Sequence, residues 1–353
     1  MSEFVRVALD AMGGDNAPHE TVQGALDALN GSPALRIILV GQEDALRRQL
    51  KKCGYTEDVP VKESEDGSDW DENARLIIVK ASELIEMAEP PVAAIMSKRD
   101  SSIVRAMQLV RQGKADAYVS AGSTGATLVG GQTIIGRVKG VERAPLAPFI
   151  PTEKGTSILI DCGANVDARS SALVQFAKMG SIYYKNAMHK EKPTVAIVNI
   201  GAEEEKGNAL VKETFPLLRD CPGINFIGSA EARDIPAGVA DVLVCEAFTG
   251  NVILKMYEGV GRAALHMLKK GLTKNLITKI GALLVKNSVK ENLKVFDMSE
   301  YGGAPMLGLK GLVVKTHGSA TAKEIKNSIL QCATFQELAI GKQIEESLAG
   351  GSN

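Results

Sequence analysis

Short runs of aliphatic and β-branched residues alternate along the chain with longer segments whose apolar positions recur at helical spacing. The short runs predict strands at residues 5–9, 36–40, 115–120, 156–161, 194–199, 224–227, 241–245 and 312–315. The longer segments predict helices at 20–29, 44–52, 73–87, 103–111, 171–186, 208–218, 251–268 and 320–346. Strand–helix alternation of this kind predicts an α/β fold: a mainly parallel sheet with helices on both faces, three layers in all, joined by right-handed crossovers. No linker-like stretch divides the chain. Residues 1–348 therefore read as one domain of two interwoven lobes, with 349–353 as a frayed tail.

Composition narrows the class. The 353 residues are 45% hydrophobic and 24% charged, as in a soluble globular protein large enough for a sizeable core. A net charge of -1 gives no general pull toward nucleic acid, and 4% aromatics with one tryptophan argue against base stacking. The five cysteines, Cys53, Cys162, Cys221, Cys245 and Cys332, are scattered and form no C-x-x-C pair. A disulfide framework or zinc site is not expected, and a reducing cytoplasm fits best. The first strand begins near the N-terminus, and no apolar run approaches the roughly 20 residues that cross a bilayer. The expectation is a cytoplasmic chain still able to lie on a membrane.

The chemistry is concentrated in seven glycine-, asparagine- and aspartate-rich turns. They are Asp10-Ala-Met-Gly-Gly-Asp15, Ser120-Ala-Gly-Ser-Thr-Gly125, Asp161-Cys-Gly-Ala-Asn-Val-Asp167, Asn199-Ile-Gly-Ala-Glu203, Phe248-Thr-Gly-Asn251, Tyr301-Gly-Gly-Ala304 and His317-Gly-Ser319. Glycine admits close backbone approach, and a helix start offers unpaired N–H groups to an anion. Gathered at the carboxyl edge of a parallel sheet, such turns would bind phosphate or another small anion.

Each turn has a functional and a structural reading. Ser120, Gly122, Ser123, Thr124 and Gly125 would either cradle a phosphate or form a tight turn with Ser and Thr caps. The segment is neither a Walker loop nor a dinucleotide turn. Around the Gly13-Gly14 corner, Asp10 and Asp15 would bind loop amides, orient a lysine or hold a metal. Asp161, Asn165 and Asp167 fit a polar network better than a magnesium site, and no metal or cofactor is expected. Beyond Asn199, Lys206 offers a point charge to an oxyanion or an ion pair to Glu203. His317 suits proton transfer or a structural bond, and Ser319 suits capping of the next helix.

A basic amphipathic segment at 262–294 stands apart from the turns. Leu276, Ile277, Ile280, Leu283 and Leu284 fall on one helical face, with Lys274 on one flank and Lys279 and Lys286 on the other, and Lys269 adds to the basic surface. It would meet anionic lipid, an acidic protein partner, or the core and a dimer partner.

Taken in order, these motifs resemble the bacterial acyl-ACP:phosphate acyltransferase family, from Val7 to about Ala333. Lys98-Arg-Asp-Ser-Ser-Ile103, Lys114-Ala-Asp-Ala117, Gln175-Phe-Ala177, Met179-Gly180 and Lys206-Gly-Asn208 complete the series. Departures are Ser123 for a usual Asn, Gly228-Ser-Ala-Glu231, and Cys245-Glu-Ala-Phe248. The resemblance implies that inorganic phosphate attacks the thioester of a long-chain acyl carrier protein, giving acyl phosphate for phospholipid synthesis. It also implies a fold similar to phosphotransacetylase and the isocitrate/isopropylmalate dehydrogenases, a homodimer, and peripheral contact with the membrane. Phosphate is already an anionic nucleophile, in keeping with the lack of a G-x-S-x-G elbow or Cys–His pair. The Ser120 loop and Lys206 would then place phosphate, Asn251 or nearby amides would face the carbonyl oxygen, and His317 would protonate the thiolate or hold phosphate. Competing readings are an acyl-CoA phosphotransacetylase and a non-enzymatic scaffold for acyl carrier protein. A dehydrogenase is disfavoured by the missing dinucleotide turn.

Overall fold

The computed structural model describes residues 4–62, 74–293 and 298–349. Its strands are β1 (Val5–Asp10), β2 (Leu35–Gly41), β3 (Val61–Lys62), β4 (Leu76–Lys80), β5 (Ala117–Ser120) and β6 (Phe149–Thr152). They continue with β7 (Gly155–Ile160), β8 (Thr194–Asn199), β9 (Asn225–Glu231), β10 (Val242–Val244), β11 (Ala304–Met306) and β12 (Leu312–Lys315). The helices are α1 (His19–Gly31), α2 (Glu43–Lys52), α3 (Pro91–Ser97), α4 (Ser102–Arg111), α5 (Thr124–Gly130) and α6 (Ser170–Met188). After them come α7 (Ala209–Arg219), α8 (Ala247–Leu272), α9 (Leu276–Leu293), α10 (Ala322–Glu337) and α11 (Ile340–Ala349).

Two compact units form from interleaved segments: Met1–Leu146 with Asn186–His189 and Ser299–Asn353, and Ala147–Lys185 with Lys190–Met298. The first holds a seven-stranded sheet in the order β11-β12-β5-β1-β2-β4-β3, the second a five-stranded sheet in the order β6-β7-β10-β8-β9. One sheet was the sequence expectation; the apolar runs are the same, but they divide between two sheets. Pairing is parallel except where β11 meets β12 and β6 meets β7. In the first unit Val7, Ala8, Leu9 and Asp10 are all fully buried in succession, which requires cover on both sheet faces. Helices α4 and α10 both pack on β1 and β5.

Topology then fixes where chemistry belongs. From β1 the chain moves outward to β2 and β4, and afterwards returns to the other side of β1 as β5 and β12. The strand order thus reverses between β1 and β5, the position at which open α/β sheets bind ligands beyond the carboxyl ends of their strands. In the second unit β10 returns to the slot between β7 and β8, which brings the loops after these three strands to one edge.

Two helix expectations are corrected. Most of 73–87 is not helical: Leu76–Lys80 is strand β4, and residue 73 lies outside the described residues. Leu-Ile-Ile-Val suits a buried central strand, and Ile77, Ile78 and Val79 are fully buried between β2 and β3. Helix 320–346 is two helices, interrupted at Ala339, whose φ of 49° is left-handed. Residues 350–353 of the expected tail lie outside the described residues.

Candidate active site

In the first unit one buried carboxylate joins two of the turns. Asp10 ends β1 and is fully buried. Ser120, at the end of β5, donates its hydroxyl to Asp10 Oδ2 at 2.7 Å, and the Gly122 N–H donates to Ser120 Oγ at 2.8 Å. Met12 N–H donates to Asp10 Oδ1 at 3.4 Å. The turn after β12 is tied in by Thr316 N–H to the Ser120 carbonyl (2.9 Å) and Asp15 N–H to the Gly318 carbonyl (2.8 Å). Glycine is required at the corner: a Cβ on Gly13 would stand 2.2 Å from Asp10 Oδ2, and Gly14 has φ of 103° with Ala121 Cβ 2.8 Å from the same position.

Burial pushes the Asp10 carboxyl up from its ordinary range, against the Ser120 and Met12 hydrogen bonds and the charge of Lys315. Lys315 itself is buried at the end of β12, in register with Ser120, and donates to the Thr316 carbonyl. Sequence reasoning missed Lys315; a charged residue closing a wholly apolar strand was the available signal. Asp10 directs both oxygens inward, so it organises the turns, and Ser123 is occupied as the cap of α5, accepting from Ala126 N–H at 3.3 Å. Gly125 packs on Pro91, where a Cβ would come within 2.4 Å of Cγ, and the Thr124 side chain is exposed.

His317 is exposed beside this edge. The Ser319 N–H donates to its Nδ1 at 3.2 Å, with Ser319 Oγ 2.8 Å from the same atom. A backbone N–H can only donate, so Nδ1 is the acceptor and the neutral ring carries its proton on Nε2. Ser319 thus orients His317 and does not cap α10; Thr321 holds the cap position, and the Ala322 N–H goes to Glu20 Oε2 at 2.5 Å. The Tyr301-to-Ala304 turn precedes β11 instead of following a strand. Antiparallel pairing of Ala304 with Lys315 nevertheless puts it at the same end of β12.

The second unit repeats the plan with different residues. Asp161, fully buried after β7, accepts from Asn165 Nδ2 at 2.7 Å and from the Ala164 N–H at 3.2 Å. That is the polar-network reading of this turn. Ala247 N–H donates to the Asn165 carbonyl, and Gly250 lies against the Asp161 carbonyl so closely that a Cβ would stand 1.9 Å from the oxygen. Asn251 is exposed at the start of α8, its Oδ1 3.9 Å from the position of a Cβ on Gly163. Glu246 caps α8 by accepting from the Phe248 and Thr249 N–H groups at 2.6 and 3.0 Å, so the departing motif keeps a defined role.

Asn199 closes the loop after β8, accepting from Ile200 N–H at 2.8 Å and donating to the Lys206 carbonyl at 3.2 Å and Ser229 Oγ at 3.1 Å. Lys206 lies in this loop, just before α7, which begins at Ala209 behind its cap Asn208. Its Nζ is 2.8 Å from Glu203, with both side chains more than half exposed, the ion-pair reading of this residue. Among the cysteines, Cys162 and Cys245 are buried together, and burial pushes both thiols well up, so neither supplies a thiolate nucleophile near neutral pH.

Beyond its first turns α8 leaves the core, and α9 follows it after a three-residue connection, Thr273–Asn275. Lys269, Lys274, Lys279, Leu276, Ile277, Ile280, Leu283 and Leu284 are all exposed there. Lys294 lies outside the described residues. Among the described residues no helix is long and apolar enough to cross a membrane.

Comparison with known proteins identifies the fold and the family. Solved structures show the fold: a phosphotransacetylase from Streptococcus pyogenes matches 95% of this chain and 94% of its own, with a TM-score of 0.59 at 17% identity. A 4-hydroxythreonine-4-phosphate dehydrogenase from Klebsiella pneumoniae matches 96% of this chain and 100% of its own, with a TM-score of 0.51 at 15% identity. Sequence likeness runs deeper. The phosphate acyltransferase of Clostridium acetobutylicum is 44% identical over 342 residues, 97% of this chain and 98% of its own length. That of Thermoanaerobacter pseudethanolicus is 42% identical over 344 residues, 98% and 97% of the two chains. A family model described as "Fatty acid synthesis protein" matches residues 5–342. With that span and that identity, the chain belongs to the phosphate acyltransferase family of fatty acid synthesis proteins.

Proposed function

We propose that the acyl donor is a long-chain acyl carrier protein and that the acyl phosphate formed feeds phospholipid synthesis. The likeness to phosphate acyltransferases over almost the entire chain carries this reading. A phosphate oxygen attacks the thioester carbonyl carbon, a tetrahedral oxyanion forms, the C–S bond breaks, and the thiolate leaves and takes up a proton. Such a reaction requires donors for anionic oxygens rather than a protein nucleophile. The first unit, taken by itself, offers the ordered amides of the Ser120–Gly125 turn, the Thr124 hydroxyl and the His317 Nε2–H, the last as a hydrogen-bond donor to phosphate or to the departing sulfur, which takes its proton from solvent. The second unit, taken by itself, carries the Lys206 ammonium and the Asn251 amide as exposed donors at its own strand edge. A phosphotransacetylase acting on acyl-CoA is the second reading, favoured by the shared fold. Thiol release measured with hexadecanoyl carrier protein and hexadecanoyl-CoA at equal concentration separates the two: the carrier substrate is expected to react at least tenfold faster per unit concentration, and a CoA preference overturns the assignment. Lys206→Ala is expected to slow the same release about a hundredfold or more, with less than 1 kcal/mol lost in stability because the ion pair it removes is exposed.

The α8–α9 pair completes the proposal. Its lysines and uncovered aliphatics suit peripheral contact with an anionic membrane, and exposed Leu265, Met267 and Leu268 in the second half of α8 suit a homodimer. Flotation with phosphatidylglycerol-containing vesicles should fall severalfold when Leu276 and Ile280 are changed to aspartate; undiminished flotation would remove this face from membrane contact.

A further inference from the structure

The first half of α8 is apolar on two sides, and only one of them is covered. Ile253, Leu254 and Tyr257 pack on the second unit's core, which includes Leu159, Ala196, Leu243 and Cys245. On another side Phe248, Val252, Met256 and Val260 recur every fourth residue and are 65%, 52%, 66% and 58% exposed. A helix apolar on more than one side ordinarily has more than one side buried. This second stripe begins at the polar edge, because Phe248 and Val252 bracket Asn251.

Two other loops at that edge show the same pairing of residues. Asn165 is followed by exposed Val166 after β7, Asn199 by Ile200 after β8, and Asn251 by Val252 after β10. Ile200 is 79% exposed, its backbone N–H held by Asn199 Oδ1. Strands β7, β10 and β8 are neighbours in the sheet, so three asparagines and three uncovered aliphatics rim one edge. Asn165 and Asn199 are buried and bonded within their loops, which leaves Asn251 as the exposed polar side chain among these three, and the aliphatics offer nothing to phosphate.

We propose that the Phe248–Val252–Met256–Val260 stripe, entered past Val166 and Ile200, is the track that takes the hydrocarbon chain of the acyl substrate. This rests on the acyl-transfer reading above and adds to it the place of the chain. Length agrees: at about 1.5 Å per residue the stripe runs about 18 Å, and one acyl layer of a bilayer is about 15 Å, half of the hydrocarbon thickness. Covering the stripe with methylenes also removes apolar surface from water, at about 0.8 kcal/mol per methylene buried, so longer chains gain affinity as they extend along it. A polar or charged occupant would gain nothing from four aliphatic and aromatic side chains.

The test compares hexadecanoyl with butanoyl thioesters of the same carrier, with phosphate, in the full-length protein. Met256→Glu places a charge two turns along α8, where only a long chain reaches, and Ile200→Ser weakens the entrance from an independent loop. In each variant the ratio of kcat/KM for hexadecanoyl to that for butanoyl is expected to fall about tenfold or more. An unchanged ratio in both variants, with wild-type turnover present, overturns the track. So does an unchanged ratio accompanied by a change of oligomeric state, which would give the stripe to a second copy of the chain. Wild-type protein that releases no thiol from either thioester overturns the acyl-transfer reading itself, and the track with it.

Discussion

Asp10→Ala is expected to destabilise the protein by about 3–5 kcal/mol and to abolish measurable acyl transfer. The carboxylate is fully buried, and its removal leaves the Ser120 hydroxyl without its acceptor and the buried Lys315 ammonium without its nearby negative charge. Stranding one member of a buried charge arrangement costs more than the arrangement contributes in net terms, which is why the loss exceeds that of an ordinary hydrogen bond. Activity should fall even in the molecules that remain folded, because Ser120 Oγ orders the Gly122 amide and Asp10 Oδ1 receives the Met12 N–H. Asp10→Asn keeps the shape and should cost less.

The two variants also differ in pH dependence. Burial raises the folded-state pKa of Asp10 above its ordinary 3.8, so the folded protein holds this proton more tightly than the unfolded chain does. The contribution is fully present below the unfolded value and is lost as pH rises through the folded value. Asparagine has no such titration. Denaturant midpoints should therefore show the gap between wild type and Asp10→Asn narrowing from acid toward neutral pH, and a widening gap would show that Asp10 is held ionised by its neighbours.

Gly250→Ala is the second large effect. A Cβ at this position would stand 1.9 Å from the Asp161 carbonyl oxygen, 2.9 Å from its carbon and 3.0 Å from Cys245 Sγ. The first two are backbone atoms at the end of a central strand and cannot rotate away, so α8 must move. Alanine gains about 1 kcal/mol over glycine in a helix interior. Overpacking against rigid neighbours costs about 1–3 kcal/mol and sometimes more, and a contact this short belongs at the upper end. The clash prevails: a net loss of about 2 kcal/mol is expected, with turnover falling about a hundredfold as Asn251, the next residue, is carried out of place. Gly259→Ala in the same helix is the control, since nothing lies within 4 Å of its Cβ position. It should be neutral or stabilising by up to about 1 kcal/mol, and equal losses at the two sites would refute the close approach at Gly250.

The parts of this architecture that were legible in the sequence are those encoded locally. Leu35–Gly41 is buried at every residue, and its aliphatic run Ile37-Ile-Leu-Val40 announces a central parallel strand. Turns such as Asp10 to Asp15 announce themselves because only glycine fits where Gly14 has positive φ. Leu76–Lys80 was misread because its few apolar residues fit a helical period as well as a strand, and only its neighbours β2 and β3 decide the matter. The Asp10–Ser120 bond joins residues 110 apart, so spacing along the chain could not reveal it. Lys315 stayed hidden for the same reason: its role depends on β12 pairing beside β5. Lys206 and Ser319 were legible as chemistry but not as geometry. The sequence left Lys206 open between an oxyanion and Glu203 and suggested a cap for Ser319; the structure pairs Lys206 with Glu203 and turns Ser319 to His317.

Phosphate as the attacking group is the claim on which the account rests, and its most direct test follows the oxygen atoms. Purified protein is given hexadecanoyl carrier protein and phosphate labelled with heavy oxygen, and thiol release is measured together with the mass of the acylated product. The account predicts thiol release that requires phosphate, and an acyl phosphate that retains all of the label. Thiol release that proceeds equally well without phosphate and yields free fatty acid would contradict it.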